Sequence, residues 1–256
     1  MTTARLARRS WVPTAIGLST AVVVTFAIEI LVRIGTINRF IVPLPSQVFA
    51  SFERMVVEES LLARFVLTGR ECLYAALLLT AIGISLGALL YAFPLLRRAC
   101  ESWVGASAAA PIVLMYPLFL VIFGRSSTTI VMMGFVSGLP PVILKTIEGL
   151  AGTPPVLIAV GRSFNLSRRQ LFWKILFPAA LPTIFVGVRL GLIFALINIV
   201  GVEYLINFGG LGQLINDLAE RYDLAGTYAA IAFVILVSVV FFVVTERIER
   251  WLRPTS

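Results

Sequence analysis

The residues of this chain best suited to doing chemistry lie between Thr153 and Pro182. In TPPVLIAVGRSFNLSRRQLFWKILFPAALP, Arg162, Arg168, Arg169 and Lys174 occur without a single acid, interleaved with Val160, Phe164, Leu166, Leu171 and Phe172. Guanidinium groups set among apolar side chains hold a surface or a partner; they make and break no bonds. Local signals divide the stretch into two helices. Thr153 is expected as N-cap, with Pro154 and Pro155 in a first turn that needs no N–H donors, so Val156 to Phe164 reads as a short helix. Asn165 is expected to close it in the left-handed conformation, and Ser167 with Gln170 then makes a capping box that opens the second helix. Pro178 and Pro182 are expected to punctuate the far end of that helix. A loop resting on lipid headgroups and a docking element for a protein partner both fit this pattern.

The remaining polar residues offer little catalysis. The chain has no histidine, which removes the commonest metal ligand and proton shuttle. Cys72 lies within an apolar run and Cys100 beside Arg97 and Arg98, so no disulfide framework or ligand cluster is expected. Lys145 and Thr146 are not a phosphate loop, because Leu144 stands where that motif needs glycine. With no phosphate loop, no triad and no metal constellation, the chain is expected to be no enzyme, to bind no cofactor, and to take its energy from a partner or an ion gradient. Three polar residues inside apolar runs, Tyr116, Arg189 and Asn198, are candidates for a translocation pathway. Arg189 is the costly one, at roughly 2.5–3.5 kcal/mol within a membrane, so it must face a polar interior, a partner helix or the inner interface.

The elements that carry these residues follow from composition. Apolar residues make up 59% of the 256 and charged residues 13%, with a mean hydropathy of +0.98. Soluble domains are about a quarter charged. The chain is therefore expected to be an all-α polytopic membrane protein with about six spans and no sizeable soluble domain. The spans are expected at Trp11 to Val32, Phe65 to Phe93, Trp103 to Phe123, Thr128 to Gly149, Thr183 to Gly201 and Leu224 to Val244. The first is long enough to cross and lacks a small-residue cleavage site, so it reads as a span and not as a cleaved leader. Glu29 and Arg33 sit one turn apart near its outer end and can pair. Ser46 is expected to cap a short amphipathic helix after the Pro-rich turn in FIVPLPSQVFASF. Arg70 and Glu71, at the outer end of the second span, are expected to face water or the bundle. Gly83, Ser85 and Gly87 have the small-residue spacing that permits close helix approach. Arg97, Arg98 and Glu101 are expected in a short inner loop. Pro111 and Pro117 interrupt the third span, either lining a pathway or kinking it. Glu203, Asn207, Asp217, Glu220 and Asp223 are expected in an acidic outer loop around FGGLGQLI.

Charge sets the expected orientation. The net charge is +8, and an N-terminus placed inside puts Arg5, Arg8, Arg9, Arg97, Arg98, Arg162, Arg168, Arg169, Lys174, Arg247, Arg250 and Arg253 on the cytoplasmic side of an inner or plasma membrane. Both termini and the 150–182 loop are then cytoplasmic, as the positive-inside bias requires. A basic balance in so apolar a chain reports anionic lipid and not nucleic acid.

The loop also carries a recognisable pattern. It resembles the cytoplasmic loop of ABC importer permeases, which reads Glu-Ala-Ala, three residues, Gly, nine residues, Ile, one residue, Leu-Pro. Here those positions hold Ala159, Val160, Gly161, then Asn165, then Ile175, Phe177 and Pro178. The spacing is kept, with Ala159 in place of Glu, Asn165 in place of Gly and Phe177 in place of Leu. RSF, RRQLF and FPAALP, with the segments FIVPLPSQVFASF, PIVLMYPLFLVIFG and FGGLGQLI, are most similar to the nitrate/sulfonate/taurine type. The resemblance implies a single permease domain over residues 1–256, with its core at 65–250. It implies a docking surface on an ATP-binding subunit formed by Ala159, Val160, Gly161, Arg162, Ser163, Phe164, Asn165, Arg168 and Arg169. ATP would be hydrolysed by that partner, a second permease copy or a related permease would face this one, and an extracytoplasmic binding protein would deliver a small anionic or nitrogen- or sulfur-containing solute. A non-translocating scaffold for an ATPase and a gradient-driven carrier are the alternatives the residues leave open.

Overall fold

A computed structural model of the chain describes residues 12–252; Arg5, Arg8, Arg9, Trp11 and Arg253 lie outside them. The described residues form helices joined by short turns. In chain order these are α1 (Val12–Arg33), α2 (Pro45–Val57), α3 (Leu61–Leu78), α4 (Ile84–Ala92), α5 (Pro94–Ala109), α6 (Tyr116–Phe123), α7 (Ser127–Ala151), α8 (Pro155–Ser163), α9 (Arg168–Leu171), α10 (Phe177–Ile206), α11 (Gly210–Glu220) and α12 (Leu224–Leu252). Wider π turns at Leu79–Gly83 and Phe172–Leu176 join α3 to α4 and α9 to α10 without a break. Five stretches are long and apolar enough to cross a membrane: Ala15–Arg33, Leu61–Ala92, Ser127–Ala151, Arg168–Ile206 and Leu224–Arg250. A sixth is counted if Pro94–Ala109 and Ile112–Phe123, bent by 91°, make one span. The chain is a multi-pass membrane protein of the expected class.

Contacts group the chain into two units, one of residues up to Leu61 with Asp217–Phe233, the other of Leu62–Asn216 with residues from Val234 onward. In the first, Arg33 meets Glu29 at 2.6 Å, the expected pair. Ser46 does not cap α2. Its backbone N–H and hydroxyl both donate to Glu29 (3.1 and 3.0 Å), and Leu44 takes the N-cap position with Pro45 in the first turn. Arg54 pairs with Asp223, and Arg221 with Glu59 at 2.7 Å.

The second unit is built on the crossing of α7 and α10. A Cβ on Gly138 would collide with the Gly191 carbonyl oxygen, and one on Gly191 would lie 2.6 Å from the Gly138 carbonyl oxygen. Only glycine at both positions lets the two backbones touch. Gly83 and Gly87, as expected, perform the same service for α4 and the turn before it against Val142 and Thr146 of α7. Leu79, Ile130, Met133, Val142, Ile184, Ala195 and Ile199 fill the core around these contacts.

Three expectations are corrected here. Arg97, Arg98 and Glu101 are not in a loop but on α5, where Arg97 and Glu101 pair at 2.8 Å across one turn. The break falls later, where Ala110 is held extended ahead of Pro111 (ψ 135°), as a proline requires of its predecessor. Pro178 and Pro182 do not end the second loop helix. Pro178 would press its ring on the Lys174 carbonyl, but Lys174 lies in the π turn, whose wider winding accommodates the proline, and the helix runs on as a 39-residue stretch to Ile206. Glu203 is consequently helical and fully buried, and Asp217 and Glu220 belong to α11; the acidic outer loop dissolves into two helix ends.

Candidate functional site

The 150–182 loop is a compact helical hairpin. Its first helix, α8, spans Pro155–Ser163; Pro154 occupies the N-cap position with Pro155 behind it, and no side chain caps it. Thr153 is not the cap: it is buried, and its hydroxyl has no hydrogen-bond partner among the described residues. The prolines themselves set the start, since the first turn has no donor left to satisfy where Pro155 stands. At the other end Asn165 adopts the left-handed conformation (φ 52°). Its N–H donates to the Arg162 carbonyl (2.9 Å), and the Leu166 N–H donates to that of Gly161 (3.1 Å), so the last carbonyls of α8 are satisfied. The capping box then forms as expected, with the Gln170 N–H on Ser167 Oγ and the Ser167 N–H on Gln170 Oε1.

One glycine fixes the hairpin. Gly161 is buried, and a Cβ there would fall 2.5 Å from Leu171 Cδ1 and 2.6 Å from Ile175 Cδ1. The α8 backbone therefore sits directly on the second helix of the loop, with Ile158 and Phe172 reaching the main core. Ala159, Val160, Arg162, Ser163, Phe164, Asn165, Arg168 and Arg169 are all left exposed. Along α8 runs an apolar ridge at four-residue spacing, Val156 (71% exposed), Val160 (45%) and Phe164 (75%), and Arg162, Arg168 and Arg169 are exposed elsewhere on the same hairpin. Of the nine motif residues, the structure thus brings eight to the surface and uses the ninth, Gly161, to hold them there. Sequence reasoning missed Leu171 and Ile175 as the floor under Gly161; both sit four residues apart on one helix face, the usual spacing of a packing pair.

The other candidates lie on different elements. Arg189 Nη1 meets Glu249 Oε2 at 2.8 Å, and its guanidinium carbon lies 5.5 Å from the centre of the Phe242 ring. Of the three settings expected for this arginine, the structure gives a partner helix, α12. Tyr116 begins α6 and packs against the main core. Asn198 is half-buried on α10 and donates to the Phe194 carbonyl one turn back (3.1 Å). Among the described residues no hydrogen bond or ion pair joins Tyr116, Arg189 and Asn198.

The sequence pattern of the family described as "Binding-protein-dependent transport system inner membrane component" matches residues 80–254. The chain belongs to this family. It is 33% identical over 165 residues to the glycine betaine/proline betaine transport system permease protein ProW of Escherichia coli K12, covering 64% of this chain and 46% of that protein. It is 24% identical to the putative aliphatic sulfonates transport permease protein SsuC of Bacillus subtilis 168, covering 84% of this chain and 78% of that one. The chain spans about half the length of ProW. In fold it is similar to a chain of the MetNI methionine ABC transporter in an inward-facing crystal form, with a TM-score of 0.66 and 21% identity, over 76% of this chain and 96% of that one.

Proposed function

We propose that this protein is the permease subunit of an ATP-driven importer, and that α8 is the element on which a separate ATP-binding subunit acts. The observation that carries the reading is the exposed ridge Val156, Val160 and Phe164, on a helix that Gly161 seats on Leu171 and Ile175. An apolar anchor on a hairpin that also exposes Arg162, Arg168 and Arg169 suits a protein groove with acidic walls. A displacement of α8 is transmitted mechanically, because the helix beneath it is continuous from Arg168 to Ile206. Two such chains, or this chain and a related permease, would face one another across a pathway, with Tyr116 and Asn198 as candidates to line it. Arg189 contributes by fastening α10 to α12 through Glu249. Closure of the ATP-binding subunits would rock the spans between inward- and outward-open states.

Orientation follows from the same reading: α8 and both termini are cytoplasmic, and the binding protein approaches from the other side. The solute is proposed to be a small polar one, anionic or carrying nitrogen or sulfur, in keeping with the betaine and sulfonate systems named for the relatives. ATP is bound and hydrolysed by the partner and not by this chain. Purifying the tagged chain in mild detergent and identifying what accompanies it by mass spectrometry tests the assignment. Recovery of an ATP-binding subunit that is lost on changing Phe164→Ala and Arg168→Ala together supports it; a chain that emerges alone and still drives uptake in ATP-free vesicles refutes it.

A further inference from the structure

Glu71 of α3 and Glu203 of α10 are buried inside the second unit, 1% and 0% exposed, and their carboxyls act on one another and on the Cys72 thiol beside them. The two carboxyls are not equivalent. Glu203 has its donors: Thr68 Oγ1 donates to Oε1 at 2.7 Å, and the Gly212 N–H donates to Oε2 at 2.8 Å. The Thr68 hydroxyl in turn accepts the Leu211 N–H at 2.9 Å, so Glu203 and Thr68 together take two N–H groups of the first turn of α11. Glu71 has no such donors. Neither of its buried oxygens makes a hydrogen bond of good geometry, and the groups that act on it are the Glu203 carboxyl and the Ser127 hydroxyl of α7. The Cys72 thiol lies within the field of both carboxyls. Among the described residues neither acid forms a hydrogen bond or ion pair with a lysine or arginine.

A buried carboxyl facing another with no cation from the protein needs a positive charge from elsewhere. A metal ion fits poorly. Hard cations collect about six oxygens, whereas both Glu203 oxygens already take donors and the Thr68 hydroxyl is engaged with Glu203 and the Leu211 N–H. A Cβ on Gly210 or Gly212 would also collide with Glu203, so the wall on that side is closed by backbone. A proton on Glu71 completes the set: the carboxylic O–H donates to Glu203, and the other Glu71 oxygen is left to accept from Ser127. We propose that Glu71 and Glu203 form a binding site for a single proton, shared between α3 and α10 and seated beneath the start of α11. The proton joins two elements of the bundle that otherwise present acceptor to acceptor. Any movement that parts α3 from α10 exposes Glu71 to a new partner or to water, so proton uptake and release are tied to that movement.

The test is infrared spectroscopy of the full chain in lipid vesicles, read for the carboxylic-acid C=O band and its shift in deuterium oxide. The expected result is a band at neutral pH in the parent protein that Glu71→Gln removes. Glu71→Gln is expected to unfold at the parent temperature, since its amide NH2 donates to Glu203 as the O–H did, whereas Glu71→Ala unfolds earlier. Glu203→Gln is expected to remove the band as well, because its amide gives Glu71 a donor and needs no proton. Absence of the band in the parent, or its persistence in Glu71→Gln, overturns the proposal. So does a band that sodium abolishes while choline leaves it, which would put a metal ion between the carboxyls.

Discussion

Arg189 on α10 and Glu249 on α12 face each other at 2.8 Å, Nη1 to Oε2, with 18% and 5% of their side chains exposed. An unpaired guanidinium within an apolar helix would be an open charge; here it ties the helix leaving the loop to the last helix of the chain, with Phe242 covering one face. Removing either partner takes a largely buried ion pair from the other. Glu249→Ala or Arg189→Ala is expected to destabilise the protein by about 3–5 kcal/mol, whereas the double replacement costs less than the sum. Thermal unfolding of the four proteins in one detergent measures the coupling.

Gly161 is expected to be the residue of the loop least tolerant of bulk. Gly161→Ala puts a methyl against the ends of Leu171 and Ile175, which are flexible and can give; Gly161→Leu cannot be housed without lifting α8. Expected effects are a modest loss of ATPase coupling for alanine and a severe loss for leucine, with the membrane bundle still folded. Near-parent unfolding temperature combined with uncoupled ATP hydrolysis would show that the defect lies at the loop.

The α7–α10 crossing makes the opposite demand. Gly138→Ala and Gly191→Ala each place a methyl against the partner backbone, which does not yield as a side-chain end does. Each is expected to cost about 1–3 kcal/mol and to lower the yield of folded protein. Unchanged unfolding temperatures in both variants would contradict the close approach of the two helices.

Much of the loop is legible in the sequence because its signals are local. Asn165 closes a helix in the left-handed region and Ser167 with Gln170 opens the next, and each needs only its near neighbours to do so. Thr153 fails as a cap for an equally local reason, that the helix begins at Pro155 with Pro154 at the N-cap position, one residue beyond it. The larger misreadings come from distance. Nothing near Glu203 in sequence reveals that Thr68, 135 residues earlier, and the start of α11 will enclose it, so it reads as a solvated acid. Pro178 reads as a stop because the π turn that accommodates it has no composition of its own. Arg189 was legible as a charge in need of a partner, but Glu249 becomes that partner only through packing.

Asn165 offers a backbone test. Asn165→Gly is expected to be neutral or slightly stabilising, since glycine adopts φ 52° without strain. Asn165→Val is expected to cost roughly 1–2 kcal/mol and to loosen α8, because a β-branched residue resists the left-handed region. Proteolysis of the loop in intact vesicles, faster for valine than for glycine, would report the loosening.

Ala159 is exposed, so Ala159→Glu adds a carboxylate without disturbing the fold. If α8 meets an ATP-binding subunit there, ATPase coupling changes while the unfolding temperature does not. Unaltered coupling would remove Ala159 from the contact.

The most direct measurement of the central claim is cross-linking from the ridge. With Cys72 and Cys100 replaced, Phe164→Cys and Val156→Cys are introduced one at a time, and the complex is treated with a short thiol-to-amine reagent. The account expects both to join the chain to its ATP-binding subunit, with ATP changing the yield. An intact, ATP-hydrolysing complex that gives no cross-link from either position, but gives one from another loop, would place the docking surface elsewhere and contradict the account.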